Sequence, residues 1–205
     1  VISLRPNHYH GWPTLARRKD GELLLVCSGG RDSHVCPFGQ VELMRSGDGG
    51  AKWSFPRVLL DSPIDDRDAG VLETSKGALL ATTFTSNAYD EYYLAKGAHK
   101  KWPAARRARW LAVHNRVPAA ARKSELGTWM IRSTDGGVTW SPRFDCLVNS
   151  PHGPVNLKDG RVLFAGKNLW RPEEKTWIGV CESRDDGQTW KRLAQIPTRQ
   201  GDDPK

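Results

Sequence analysis

The 205-residue chain is 38% hydrophobic and 26% charged, with 20 Gly, 13 Pro and nine Trp. Its length is near the upper edge for one domain, and nine tryptophans need a core or a ligand, which excludes a disordered chain. No apolar run approaches the roughly 18 residues of a membrane span, so no transmembrane segment is expected. The net charge of +8 is local: nine basic and no acidic residues lie between Lys96 and Lys123, leaving 22 basic against 23 acidic elsewhere. An acidic partner would therefore have to meet that one segment. Cys27, Cys36, Cys146 and Cys181 show no C-x-x-C spacing. They are expected to be buried free thiols rather than zinc or redox ligands, which fits a reducing compartment slightly better than an oxidising one. The first residues, Val1 to Arg5, carry neither an initiator Met nor a signal sequence, which suggests a piece of a longer chain.

In chain order, a strand is expected over Trp12–Ala16, then an Asp20-Gly21 turn and a strand over Glu22–Val26. A loop leads to Val41–Met44, the octet Ser46–Trp53 and a strand at Val58–Leu60. The plan recurs with Gly70–Glu73, Lys76-Gly77, Ala78–Ala81, a long basic segment, Trp129–Ile131, the octet Ser133–Trp140 and Phe144–Val148. It recurs again with Gly153–Leu157, Asp159-Gly160, Arg161–Phe164, Ile178–Cys181, the octet Ser183–Trp190 and Leu193–Ile196. Asp-Gly between apolar runs is a strong hairpin signal. All three octets read Ser-x-Asp-x-Gly-x-x-Trp. The Asp can accept bonds from backbone amides a few residues on, the Gly supplies positive φ, and the Trp is expected to be a buried plug. Asp48, Asp135 and Asp185 are thus read as structural.

Three four-stranded antiparallel units follow, at about 5–60, 61–145 and 146–197. Such units in tandem are propeller blades, and a ring closes with about four to eight of them. Three blades leave two faces uncovered, which predicts an all-β propeller of which about half is present.

The octets resemble the Asp-box, or bacterial neuraminidase repeat, of sialidases over about residues 8–197. The resemblance implies a six-bladed ring, removal of terminal sialic acid with retention, and no cofactor. It also implies a Tyr nucleophile paired with Glu, an Asp acid/base and three Arg on the substrate carboxylate; a Tyr nucleophile is an exception among retaining glycosidases. The first family Arg opens an Arg-Ile-Pro motif, where this chain has Gly11-Trp12-Pro13. The acid/base Asp belongs to the loop after the second strand, which points to His34 or Asp32 in Gly30-Arg31-Asp32-Ser33-His34. The Tyr, its Glu and the other two Arg are expected beyond Lys205.

Hairpin logic puts the octet turns at one end of the blades and the starts of the first strands at the other. The second end gathers His8, His10, Arg31, Asp32, His34, Asp65-Asp66-Arg67-Asp68, the segment Asn87 to Asp90, Pro151-His152-Gly153 and the segment Asn168 to Arg171. Asp32 or His34 could donate a proton, unless Arg31 and Asp32 simply pair with each other. Arg67 could fork onto a carboxylate, with Asp66, Asp68, Arg31 and His152 around the substrate, or the two flanking acids could hold it. The spacing of His8, His10 and His152 gives no support for a metal site.

The basic insertion, about 92–125, is rich in helix formers from Pro103 to Val113. It reads as a solvated helix, as a lid whose Arg106, Arg107 and Arg109 attract an anionic sugar, or as a subunit contact. Nucleic-acid binding is disfavoured, since a single basic patch without a recognition motif is weak. Two functions remain: a sialidase-like glycoside hydrolase acting on terminal acidic sugars of glycans, or a non-catalytic carbohydrate-binding propeller.

Overall fold

The computed structural model describes residue 5, residues 7–170 and residues 175–197. Three four-stranded antiparallel sheets stand in chain order. The first holds β1 (Tyr9–Arg17), β2 (Leu23–Arg31), β3 (Gln40–Ser46) and β4 (Arg57–Leu60). The second holds β5 (Asp65–Glu73), β6 (Leu79–Ser86), β7 (Thr128–Ser133) and β8 (Phe144–Asp145). The third holds β9 (Val155–Asn156), β10 (Val162–Lys167), β11 (Ile178–Ser183) and β12 (Lys191–Gln195).

The middle sheet explains why its strands read as apolar runs instead of alternating. Successive side chains of a strand point to opposite faces. Leu79 accordingly enters a core with Leu24, Val26, Val41 and Leu43 of the first blade. Leu80 enters a second core with Met130, Val162, Phe164 and Cys181, shared with the third blade. Both faces are buried, so both phases of the strand must be hydrophobic. All four cysteines are buried and form no disulfide, and burial pushes the Cys27 thiol up to about 12.

Each octet closes on itself. The Asp48 carboxylate accepts from the Lys52 amide at 2.9 Å, Asp135 from the Thr139 amide at 2.9 Å and Asp185 from the Thr189 amide at 2.9 Å. The serines complete the turn, taking the amides of Gly50, Gly137 and Gly187 at 2.9, 2.8 and 2.9 Å. The tryptophans differ from expectation. Trp53, Trp140 and Trp190 are half-buried, not buried. Trp140 and Trp190 rest one side on the two cores, while Trp53 and Trp190 tie their indole N–H to the turn carbonyls of Gly50 and Gly187.

A repeated arginine joins the blades. Arg45, just before the first octet, donates to the carbonyl of Gly136 in the second at 2.8 Å. Arg132, just before the second octet, donates to the carbonyl of Asp186 at 2.9 Å and to its carboxylate at 2.6 Å. In the third blade the same place holds Glu182, which pairs with Arg161, Arg184 and Lys191 at 3.2, 3.1 and 3.3 Å.

The insertion between β6 and β7 is helical. A π-helical turn (Asp90–Ala95) and a 3-10 turn (Ala98–Lys101) precede α1 (Ala104–Arg116) and α2 (Ala119–Ser124). Pro103 and Pro118 stand at the N-caps of α1 and α2, as a residue without an N–H and with fixed φ suits a helix start. The insertion has its own core, in which Tyr89, Leu94 and Trp110 pack on Val35 and Cys36 of the β2–β3 loop. Among the described residues, no helix is long and apolar enough to cross a membrane.

Candidate functional site

The starts of β1 and β5 meet the segment before β9. Thr14 donates to the carbonyl of Ala69 at 2.9 Å and lies 3.4 Å from the carbonyl of Pro151 and from His152 Nδ1. Gly70 is pressed against Gly153: a Cβ at Gly70 would lie 2.5 Å from the Gly153 Cα. Only glycine allows that approach. Residues far apart in sequence are thereby brought to one end of the three blades.

Trp12 is the centre of this end. The Arg67 guanidinium lies 4.8 Å from its ring centroid and that of Arg31 5.2 Å. His34 stands against the same indole at 5.0 Å and Tyr9 at 6.3 Å. The Tyr9 hydroxyl is 3.2 Å from His34 Nδ1. Cations over an indole face are attracted by its quadrupole, more strongly where water is excluded.

Beneath this layer Arg31 and Asp65 form a fork, Nη1 to Oδ1 at 2.7 Å and Nη2 to Oδ2 at 2.9 Å, with both side chains fully buried. Arg31 also donates to the Ser28 hydroxyl at 2.6 Å and to the His34 carbonyl at 2.9 Å. A Cβ at Gly39 would lie 2.1 Å from Asp65 and 2.2 Å from Arg31, so glycine there makes room for the pair. Arg31 is therefore a framework cation under the site. It pairs with Asp65 rather than with Asp32, which corrects the expected Arg31–Asp32 bridge.

Asp32 belongs to the insertion. It accepts from Arg106 Nε at 2.9 Å, from the Trp110 indole N–H at 2.8 Å and from Arg109. Burial pushes its carboxyl up, but the Trp110 bond and the two guanidinium groups outweigh that and hold it below its ordinary value. A carboxylate gripped by three donors is a poor proton donor near neutral pH. The expected acid role of Asp32 does not fit this geometry, and two of the three proposed lid arginines are engaged in holding the β2–β3 loop.

The rest of that loop keeps His34 exposed, beside Trp12. Burial first, then Arg67 and Arg31, hold its imidazole below the ordinary value. The ring is neutral at neutral pH, suited to hydrogen bonding rather than to proton donation. Asp66 points away from the site: its Oδ2 accepts the Ser62 amide at 2.6 Å, and burial pushes its carboxyl up to about 7. It cannot touch a ligand at Trp12, contrary to expectation.

Arg67, Asp68 and His152 do converge. The Arg67 side chain is 11% exposed, and its ion contact, with Asp65 Oδ2, is a loose 3.7 Å. Its Nε has no hydrogen-bond partner among the described residues. Asp68 lies in the electrostatic field of Arg67, Arg31 and His152. The expectation that Asp66 and Asp68 flank and hold Arg67 is corrected, since Asp65 is the acid beside it. Of the second-end residues named from the sequence, Arg171 lies outside the described residues.

Trp12 and Tyr9 are the contributors that sequence reasoning missed; Asp65 was placed at this end, but not as the partner of Arg31. The repeat itself carried the signal. Trp12 and Asp68 each stand nine residues before the glycine of the following turn, Gly21 and Gly77. Arg67 thus occupies in the second blade the place that Gly11 occupies in the first. A separate cleft of about 420 Å³, lined by Arg132, Ser133, Thr139, Trp140 and Gln188, lies at the octet end, where the polar groups already close their own turns.

The chain is similar to a sialidase of Clostridium perfringens, 22% identical over 211 residues covering 92% of this chain and 50% of that protein. It spans about half the length of this curated relative. Among solved structures it is similar to a protein of unknown function from Dyadobacter fermentans DSM 18053, with a TM-score of 0.62 and 21% identity over 98% of this chain and 58% of that one. The Hadza microbial sialidase Hz136 gives a TM-score of 0.62 at 18% identity, covering 92% of this chain and 38% of that one. The alpha-L-arabinanase of Penicillium chrysogenum complexed with arabinobiose gives 0.51 at 11% identity, covering 96% and 51%. These likenesses are to propeller proteins, so the three sheets are propeller blades. With residues 2–203 matching the BNR repeat-like domain, the chain belongs to that sialidase-like family.

Proposed function

We propose that this chain is part of a sialidase-like glycoside hydrolase acting on a terminal acidic sugar, with Arg67 receiving the sugar carboxylate. The observation that carries the reading is the state of Arg67. Its guanidinium is nearly buried, stacked 4.8 Å from Trp12, and held by its neighbouring acid only at 3.7 Å. An arginine fixed by an aromatic face but loosely paired keeps its fork free for a carboxylate. Trp12 gives the apolar face of a sugar ring a surface, and neutral His34 with the Tyr9 hydroxyl supplies hydrogen bonds to sugar hydroxyls. Asp65 and Arg31 hold these groups from below.

A second reading, a non-catalytic carbohydrate-binding propeller, is favoured by one specific observation: Asp32 is engaged by Arg106, Arg109 and Trp110. The two readings separate in one assay. The intact protein is incubated with sialosides and with neutral glycosides of the same leaving group, and released sugar is measured beside equilibrium binding. Release from sialosides supports the hydrolase. Sialoside binding without release supports the binding module; no preference for the acidic sugar contradicts the assignment of Arg67 to a sugar carboxylate, and no binding of any glycoside contradicts both.

A further inference from the structure

We propose that the basic insertion is a subsite for the inner sugars of the glycan whose terminal sugar lies at Trp12, and that it receives further anionic groups there. The substrate class is then a glycan with more than one acidic group, an assignment that rests on the acidic-sugar reading above. The insertion interrupts the four-stranded plan between β6 and β7 alone, so neither the octets nor the hairpins require it. Its charge is not balanced by its neighbours. Nine basic residues and no acid stand between Lys96 and Lys123. The acids around them are already engaged: Asp32 by Arg106 and Arg109, Asp90 by Arg122, Glu91 by Lys96 and Glu125 by Arg143. Lys100, Lys101, Arg107, Arg116 and Lys123 therefore have no acidic partner among the described residues.

Two of these five have a local explanation. Arg116 and Lys123 lie in the last turns of α1 and α2, where a cation meets the helix dipole favourably. The other three do not. Lys100 and Lys101 end a 3-10 turn of only four residues, and Arg107 lies near the start of α1, whose first turn holds no acid. Contacts join them into one patch with Arg106 and Arg109. Arg107 Nη1 lies 3.5 Å from the Lys100 carbonyl, and the Arg106 guanidinium stands 4.3 Å from the ring centroid of Trp102. Arg109, more than half exposed, lies 4.9 Å from the Phe38 ring and bonds Asp32. The patch thus carries five cations against the single carboxylate of Asp32.

The patch begins beside the site. Asp32 and His34 share the β2–β3 loop, whose Val35 and Cys36 pack with Trp110 in the core of the insertion. His34 in turn stands 5.0 Å from Trp12. A glycan that leaves Trp12 past His34 meets cations fixed on a packed frame, which cannot spread apart to relieve their repulsion. An anion on an inner sugar relieves it, and a carboxylate or a sulfate ester supplies that anion equally. This continuity with the sugar site is what favours a glycan over a lipid surface as the occupant.

The test measures equilibrium binding of the intact protein to three sialosides of equal length, with a neutral, a sialylated or a sulfated inner sugar. The parent should bind at least one of the two doubly anionic glycans about 5–50-fold more tightly than the first, as a few exposed ion pairs allow. That advantage should shrink as added salt screens the patch. Which glycan gains tells carboxylate from sulfate. The triple variant Lys100→Gln, Lys101→Gln and Arg107→Gln should lose the advantage and keep the parent's affinity for the sialoside with a neutral inner sugar. The pair Arg116→Gln and Lys123→Gln, which removes charge from the far ends of the helices, should keep the advantage. A parent without the preference, a triple variant that retains it, or an equal loss from the Arg116 and Lys123 pair would overturn the subsite, while binding of the simple sialoside leaves the reading of Arg67 standing. Phosphatidylserine vesicles that bind the parent and not the triple variant, with no glycan preference, would overturn it in favour of a membrane contact. A parent that binds no sialoside overturns both readings together.

Discussion

The octet aspartates and those of β5 are the same residue in opposite states. Asp48, Asp135 and Asp185 lie at one end of the blades, and local donors hold each carboxyl below its ordinary value, led by the Lys52 amide for Asp48 and the Thr139 hydroxyl for Asp135. For Asp185 burial acts the other way, but the Thr189 hydroxyl and amide outweigh it. At the other end, burial raises Asp66 and Asp68. A carboxylate whose bonds are all made within its own turn is framework. One with a buried oxygen left unpartnered among the described residues, as in Asp68 but not in Asp66, is available to something else. The contrast separates structure from chemistry more sharply than residue type does.

The largest effect should come from the pair under the site. Arg31→Met leaves Asp65 buried without its fork, and breaking such a pair costs about 3–5 kcal/mol. Denaturant unfolding measures it; a loss below about 1 kcal/mol would mean that Asp65 finds another donor. Next comes the brace between blade and insertion. Trp110→Ala removes a fully buried indole and one of the donors to Asp32. Hydrogen exchange should then rise together over 31–38 and 88–124 while the strands stay protected. Exchange confined to α1 would show that the insertion does not hold the loop.

A smaller effect is expected from the arginine that joins blades two and three. Arg132→Met should cost about 1–2 kcal/mol, since it removes charge-assisted bonds to a partly exposed partner. Arg184→Met, on an exposed side chain of the third blade, should change little.

The two ends should also differ in the sign of their pH dependence. The octet carboxylates are depressed, so their stabilisation is present above the unfolded value of about 4 and is lost as pH falls below it. Asp66 is raised to about 7; its stabilisation is present below about 4 and is lost as pH rises toward 7. Asp66→Asn should flatten that upper slope, and Asp135→Ala should soften the acid limb without touching it. Stability curves against pH for both variants check the assignment.

Much of the fold was legible in the sequence because it rests on local signals. The octets and the Gly turns set every hairpin, and the resulting three sheets place Ser46, Ser133 and Ser183 at equivalent turns. The tryptophans were misjudged because their burial depends on what lies above them, which a turn motif does not encode. The site was legible only in part. Arg67 and His34 could be named from their position at strand starts. The partnership of Arg31 with Asp65 could not, because it joins residues 34 apart across two blades. Asp32 looked catalytic for the same reason: its partners, Arg106, Arg109 and Trp110, lie more than 70 residues away in the insertion.

The most direct measurement compares two variants of the intact protein at equal folded fraction, Arg67→Gln and Asp135→Ala, by titration with a sialoside. The account predicts about a 10–100-fold loss of affinity for Arg67→Gln, the equivalent of one charge-assisted hydrogen bond, and none for Asp135→Ala. Unchanged affinity in Arg67→Gln, or a loss in Asp135→Ala, would contradict the assignment of chemistry to the Trp12 end of the blades.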